Sequence, residues 1–426
     1  MTTTTEFEPL PDLTVAEPHH GTLVMKFGGT SVGDPEKLKD VARRLVSAQA
    51  EGRRVVAVLS AMGHTTDELL SMAGHITDQP DPRELDMLLT AGERISMSLL
   101  GIALNARGCR AASYTGSQAG IITDTRHGAA KITEIRPKRI LEALDAGNVV
   151  ILAGFQGLSS DYEITTLGRG GSDLTAVAMA GAVRASVCEI YTDVDGVFTA
   201  DPRIAEGARK VTVIGYDEML ELAAAGAKVL QSRSVEMARR HGVQIHVRSA
   251  FRDEPGTWVR DRSEDDMEGV LISGVALDTD EAKVTIDDVP DRPGVAARIF
   301  KAIAAEAINV DMIVQNVSHE AKTDMSFTAP RADLQRLQGA LDALTAEIGA
   351  AGFTVDDDIA KISLVGAGMK SHPGVAADMF DALATEGINI EMISTSPIRV
   401  SCVIRRTDAA RAVQVVHTRF GLNDPT

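Results

Sequence analysis

The chain has 426 residues, 44% of them hydrophobic, a formal charge of −17 and a pI near 5.1. That length is too great for one ordinary core and points to two or three domains. The lack of a long uncharged apolar run argues against a membrane span, and the acidic balance argues against a nucleic-acid binder, which carries a basic footprint.

The opening "MTTTTEFEPLPDLTVAEPHHG", residues 1–21, holds prolines and acids but no basic region followed by an apolar core, so a disordered tail is expected rather than a secretion signal. From residue 22 short apolar runs alternate with helical periodicity, the pattern of an α/β domain with a largely parallel sheet. "TLVMKF" is a buried strand, after which Asp34 and Pro35 look like an N-cap and first helical residue. Leu38, Val41, Ala42, Leu45 and Val46 then follow at helical spacing. A strand "VVAVLS" at 55–60, a turn into helix at "AMGHTTDELL", a long helical region over roughly 83–107 and a strand "NVVILAG" at 148–154 come next. "LGRGGSDLTAVAMAGA" is a glycine-rich turn with Ser172 as the expected N-cap of an alanine-rich helix; the strand "VCEIYTD" and the acidic, turn-rich "DVDGVFTADPR" follow. Strand ends in such sheets carry the ligand site, so these turns are expected to converge on one crevice.

The composition changes over residues 261–270, a linker. Beyond it the chain repeats itself: Pro293, Gly294, Val295, Ala296, Ala297, Phe300, Ile308, Asn309, Met312 and Ile313 each recur 80 positions later. Each copy reads as strand, helix opened by Pro-Gly, two strands, helix and strand, a ferredoxin-like βαββαβ module that leaves a face or edge for a partner. Dimerisation through these modules is expected. The boundaries are 22–260 for the α/β domain, 271–358 for the first module and 359–421 for the second.

In "VMKFGGTSVGDPEKL", glycines let the backbone approach a ligand, and a helix start with a lysine beside it suits phosphate; because Lys26 precedes Gly28 and Gly29, this is not a P-loop. Arg169 with three glycines, a hydroxyl and Asp173 on one turn is a stronger signal. Phosphoryl transfer needs cations around the moving group, backbone donors around the phosphates, and charged groups that orient the acceptor; Lys26, Glu93, Arg169 and Asp173 supply those types. Against this, Glu93 reads equally well as a solvated or Arg94-paired helix residue, and the acids of "TDVDGVFTADPR" as ordinary turn formers. His64 reads as an exposed loop residue, and Trp258 and the methionines as packing. The ten histidines show no HExxH spacing, and Cys109, Cys188 and Cys402, far apart, read as free cytosolic thiols, so a cytoplasmic location is expected.

Taken together, "KFGGTS", "VLSAMGHTTDEL", "LTAGERIS", "AGFQG", "TTLGRGGSD" and "YTDVDGVFTADPR", followed by the paired modules, resemble the aspartate kinases of the amino-acid kinase superfamily with tandem ACT domains, over residues 22–421. The resemblance implies an amino-acid-kinase fold followed by two ACT modules, and transfer of the γ-phosphoryl of MgATP to the side-chain carboxylate of L-aspartate, the first step toward lysine, threonine, methionine and isoleucine. It implies that Lys26 and Asp173 are catalytic, that Arg169 clamps the α-carboxylate bidentately, and that Glu93 takes the α-ammonium, with Ser60, Ala61, Thr66, Phe155 and Ser172 shaping the pocket. Thr192, Asp193, Asp201, Arg203 and Lys228 match family ATP contacts, and Phe198 stands where many relatives have tyrosine. Mg²⁺ is expected on phosphates and water, with no protein metal ligands. Asp291, Gly294, Ile308, Asn309, Gln315, Asn316 and Thr323, and their counterparts Ser371, Gly374 and Asn389, are the expected effector contacts for lysine, threonine or both. Met267 in the linker is a candidate internal start for a free regulatory subunit, as in some relatives. Pro397 stands where sensitive relatives commonly have glutamate; proline lacks an N–H, so altered strand pairing or effector coupling, and weakened feedback, are expected. Two other readings share the sequence: a catalytically silent amino-acid sensor, and a kinase for another small carboxylate.

Overall fold

The computed structural model describes residues 21–262, 272–316 and 321–423. Most of the expected tail and linker, Met267 included, lies outside the described residues. Two compact units divide the chain: one runs to Tyr191 and adds Val243–Ile245, the other holds Thr192–Gly242 and His246 onward. The division falls inside the segment expected as one catalytic domain.

In the first unit the elements are β1 (Thr22–Phe27), α1 (Pro35–Ala50), β2 (Arg54–Leu59), α2 (Thr65–Ile76), α3 (Pro82–Asn105), β3 (Ala111–Tyr114), β4 (Ile121–Thr123), β5 (Ile132–Ile135), α4 (Lys138–Asp145), β6 (Val149–Ala153), β7 (Gln156–Ser159), β8 (Ile164–Thr166), α5 (Gly171–Ala182) and β9 (Val187–Thr192). Strands β9, β1, β2, β6 and β3 lie side by side in that order, all parallel. Every residue of β1 and β6 is buried, as expected for strands covered on both faces. Asp34 caps α1 by accepting the Lys37 N–H at 2.9 Å, with Pro35 at the first helical position. The expected cap of α5 is displaced: Gly170, left-handed at φ 68°, holds the cap position and Ser172 lies inside the first turn. A three-glycine run can turn the chain more sharply than a serine cap allows, so the helix starts two residues earlier. Residues Gly171 to Ala180 of α5 are all buried, its glycine and alanines letting the helix lie against the sheet. A second, four-stranded sheet, β5-β4-β7-β8, was not apparent in the sequence; its strands are three or four residues long and show no clean alternation. Helix α3 is long and apolar enough by length and composition to cross a membrane, but half of its most apolar window is buried within the unit, and it carries buried Asp86 and Glu93.

The second unit begins with β10 (Val213–Ile214), α6 (Tyr216–Ala224), α7 (Ser232–His241), β11 (Ile245–Ser249) and β12 (Thr257–Val259). It continues with β13 (Gly274–Asp278), β14 (Glu281–Pro290), α8 (Val295–Ala305), β15 (Asp311–Gln315), β16 (Lys322–Pro330), α9 (Leu334–Ile348) and β17 (Gly352–Asp356). Last come β18 (Ile359–Val365), α10 (Val375–Thr385), β19 (Met392–Ser396), β20 (Arg399–Arg405) and α11 (Ala409–Arg419). The first module is βαββαβ, with sheet order β15-β16-β14-β17. The second differs: its fourth strand is β13, from upstream of the first module, which pairs antiparallel with β18 from Gly274↔Val365 to Asp278↔Lys361. The chain leaves the second sheet, builds the whole first module, and returns. Periodicity could place β13 as a strand but could not assign its partner.

Candidate active site

Lys26 lies one residue from the end of β1, and its Nζ is 2.6 Å from Asp173 Oδ1 on the first turn of α5. Both side chains are largely buried, so the pair is screened little by solvent. Gly28 follows, its N–H donating to Tyr191 O at 3.3 Å, and the chain then makes a single 3-10 turn over Gly29–Val32. The loop after β2 is laced to this turn: Ser60 N–H donates to Phe27 O at 3.1 Å, and Gly63 N–H to Gly29 O at 3.0 Å.

Beneath that loop, Glu93 Oε1 accepts the Ala61 N–H at 3.1 Å, and Ser96 Oγ donates to Ser60 O at 2.8 Å. Glu93 is only 3% exposed, and its Oε2 is buried with no hydrogen-bond partner among the described residues. Burial pushes its carboxyl up to about 7. Of the readings left open by the sequence, the solvated helix glutamate is therefore excluded. An orphaned carboxylate oxygen in a cleft is a group awaiting a cationic or donor ligand.

Arg169 sits between Gly168 and Gly170, both left-handed, at φ 76° and 68°. Opposite them Phe155 is also left-handed, at φ 69°, an uncommon conformation for a bulky residue. It is held by its N–H donating to Thr175 Oγ1 at 3.1 Å and its carbonyl accepting Leu167 N–H at 2.9 Å.

A cleft of about 840 Å³ is lined by Lys26, Gly29, Ser60, Ala61, Thr66, Glu93, Phe155, Arg169, Ser172 and Asp173, so the expected acceptor-site residues are brought together. Gly28 is not in its wall but packs behind, near Lys26 Nζ. Asp67, Asp86, Gly128 and Thr166 also line the cleft, and the sequence reading missed them. For Asp86 a signal existed, since it stands two helical turns before Glu93 and so on the same face of α3. His64 is exposed, as expected of a loop residue. All three cysteines are free and buried.

The expected nucleotide contacts Thr192, Asp193, Phe198, Asp201, Arg203 and Lys228 lie in the second unit. Asp201 is bound by Arg203 through Nη2 at 2.6 Å, which holds its carboxyl below the usual range, and Lys228 Nζ is 2.6 Å from Asp280. Phe198 forms an antiparallel bridge with Lys210. Among the expected effector contacts, Gly294 and Gly374 are matching left-handed caps of α8 and α10, at φ 95° and 107°. Asp291 lies in the turn before α8, Ile308 is buried, Asn309 and Asn389 are exposed, and Ser371 ends a 3-10 turn. Gln315 ends β15, and Thr323 Oγ1 donates to Asn316 O at 2.7 Å. Pro397 occupies the turn between β19 and β20, which stay paired up to Ser396↔Arg399. Strand pairing is thus not altered there, because a turn position asks no N–H of the proline.

Among the described residues no cluster of three or more His, Cys, Asp or Glu could hold a metal ion. In the cleft Asp173 is taken by Lys26 and one Glu93 oxygen by Ala61, so the donor set suits a cation brought in on nucleotide phosphates better than a resident one.

Residues 21–249 match the amino acid kinase family, and 283–349 and 362–420 each match an ACT domain. The aspartokinase of Mycolicibacterium smegmatis is 53% identical over 404 residues, covering 94% of this chain and 96% of that protein. The chain belongs to the aspartokinase family. A further aspartokinase, from Mycobacterium tuberculosis, is 54% identical over the same length, and the aspartate kinase of Pseudomonas putida is 49% identical over 403 residues, covering 95% of this chain and 98% of that one. Among solved aspartokinase structures, E. coli aspartokinase III in complex with aspartate and ADP, in the R-state, superposes with a TM-score of 0.80 at 26% identity, covering 93% of this chain and 99% of that one. The T-state complex of the same E. coli enzyme with lysine and aspartate gives a TM-score of 0.73 at 26% identity, covering 94% and 99%.

Proposed function

We propose that the chain transfers the γ-phosphoryl group of ATP to the β-carboxylate of L-aspartate. A carboxylate oxygen forms the new bond to phosphorus, the bond from phosphorus to the β–γ bridging oxygen breaks, and 4-phospho-L-aspartate and ADP result. The observation that carries this reading is one cleft holding the Lys26–Asp173 pair together with Arg169 and a half-satisfied, buried Glu93. In these roles Lys26 spreads the charge of the moving phosphoryl, and Asp173 fixes the ammonium of Lys26. Arg169 takes the α-carboxylate through a planar fork, and Glu93 Oε2 takes the α-ammonium. Ser60, Ala61, Thr66, Phe155 and Ser172 close the pocket around the side chain. Gly28 and Gly29 bring backbone close to phosphate, and Thr192, Asp193, Phe198, Asp201, Arg203 and Lys228 serve the nucleotide. Mg²⁺, supplied with the nucleotide, neutralises phosphate charge. The E. coli relative solved with aspartate and ADP supports the same substrate pair.

Residues 22–260 serve catalysis in this reading, and 271–358 and 359–421 regulate it. Lysine, threonine or both bind the modules at Asp291, Gly294, Ile308, Asn309, Gln315, Asn316 and Thr323 and at Ser371, Gly374 and Asn389. The lysine complex of the E. coli relative supports amino-acid control. The enzyme works in the cytoplasm as an oligomer assembled through its modules, at the entry to lysine and threonine biosynthesis. Acyl phosphate trapped with hydroxylamine, from aspartate and from glutamate, with and without lysine and threonine, tests this. Turnover of aspartate alone, suppressed by an effector, is the expected result; amino-acid binding without turnover overturns it in favour of a sensor.

A further inference from the structure

Asp86 is 1% exposed on α3, and both of its oxygens are engaged, by three donors in all. Oδ1 accepts from Thr166 Oγ1 at 2.5 Å and Gly128 N–H at 3.1 Å; Oδ2 accepts from His127 Nδ1 at 2.7 Å and the same Gly128 N–H at 3.1 Å. It lines the same cleft as Glu93, but the two acids are prepared for different tasks. Glu93 keeps an oxygen without a partner, whereas Asp86 has none to offer a ligand.

What Asp86 does hold is the approach to Arg169. The turn it grips and the strand end it grips are joined, since Ala130 N–H donates to Thr166 O at 2.9 Å. Gly168 packs against the same turn so closely that a Cβ there would lie 3.1 Å from Gly128 O. Arg169 comes next, flanked by two left-handed glycines whose backbone has no stiffness of its own. The register of the guanidinium is therefore inherited from the Thr166–Gly168 segment, and that of the segment from Asp86.

We propose that Asp86 is a positioning residue that sets Arg169 for the substrate α-carboxylate through Thr166 and the His127–Gly128 turn. This rests on the reading of Arg169 given under the proposed function. Two variants test it. Thr166→Val removes one hydroxyl at nearly constant volume, and Asp86→Asn keeps the shape but gives up acceptor capacity. Each is expected to raise the KM for aspartate about tenfold, the effect of losing a hydrogen bond to a charged group, while kcat and the KM for ATP stay within about twofold. Amide exchange over residues 127–130 and 167–170 is expected to quicken in both. An unchanged aspartate KM, or aspartate and ATP KM values rising together, overturns the proposal, the second because it marks a general loss of fold. If the unmodified protein does not phosphorylate aspartate, the functional reading fails. Exchange in the two segments then decides the role of Asp86 alone: slow exchange unchanged in both variants overturns it, and faster exchange confined to them supports it.

Discussion

Glu93 is an acid whose surroundings are incomplete without a ligand. Its carboxyl is raised from 4.5 to about 7 by burial, so near neutrality it is divided between neutral and ionised forms. A raised acid pKa in the folded state favours folding below the unfolded value, and that contribution is lost as pH rises through the folded value. The ligand-free protein should therefore lose stability through this group between pH 4.5 and about 7, and Glu93→Gln should flatten that part of the melting-temperature profile. Binding runs the other way, because an α-ammonium pairs with the ionised form. The KM for aspartate is expected to rise as pH falls below about 7, with a matching proton release on binding by calorimetry. A pH-independent aspartate KM in the unmodified enzyme would falsify the assignment of Glu93 to the ammonium.

At the scale of elements, the site depends on how closely α3 approaches the loop after β2. A Cβ at Gly92 would lie 2.8 Å from the Ala61 methyl, so Gly92→Ala must push away the loop that carries Ser60 and Ala61. The expected cost is about 1–3 kcal/mol of stability and a raised aspartate KM. Because the clash is between two methyl groups, adding Ala61→Gly should recover much of both losses, a coupling that thermal melts and kinetics on the double variant would read. This close approach also explains what the sequence could and could not show. The runs "TLVMKF" and "NVVILAG" announce their strands because both faces are covered, and Asp34-Pro35 announces its helix because the cap is local. Lys26, Arg169 and Asp173 were legible for the same reason, each standing in or beside a glycine turn. The sheet of β4, β5, β7 and β8 was not, and neither was the task of Asp86, since its partners His127, Gly128 and Thr166 are 41, 42 and 80 residues away. No local pattern encodes a contact of that separation.

At the largest scale, within the second unit, the two modules are joined by a buried cation as well as by the chain that leaves the second sheet after β13 and re-enters it at β18. Lys361 on β18 is 1% exposed, with Nζ 2.6 Å from Glu281 on β14 and 3.0 Å from Asp311 on β15. Burial alone would pull its pKa down, but the two carboxylates outweigh burial and raise it. Lys361→Met leaves Glu281 without its cation and Asp311 with only the more distant Arg399, and is expected to cost about 3 kcal/mol, less than a fully buried pair because Asp311 is partly exposed. Denaturant unfolding would measure it.

The same acid leads from the modules to α6. Asp311 lies 3.8 Å from Arg399, whose other nitrogen is 3.0 Å from Glu221 of α6, and Ser396 Oγ also reaches Glu221, at 3.4 Å. Pro397 stands between those two Glu221 partners, in the turn. Pro397→Glu adds a carboxylate next to a site where one arginine already serves two acids, and it frees a backbone dihedral that proline had fixed. Since the ladder on either side does not need the Pro397 N–H, the variant should fold as well as the parent and keep its uninhibited turnover. What should change is the concentration of lysine or threonine giving half inhibition, expected to fall severalfold, because an effector acts only through contacts that differ between states, and this turn is one of the places where the second module touches the helix. If inhibition curves for parent and variant coincide, Pro397 has no part in feedback.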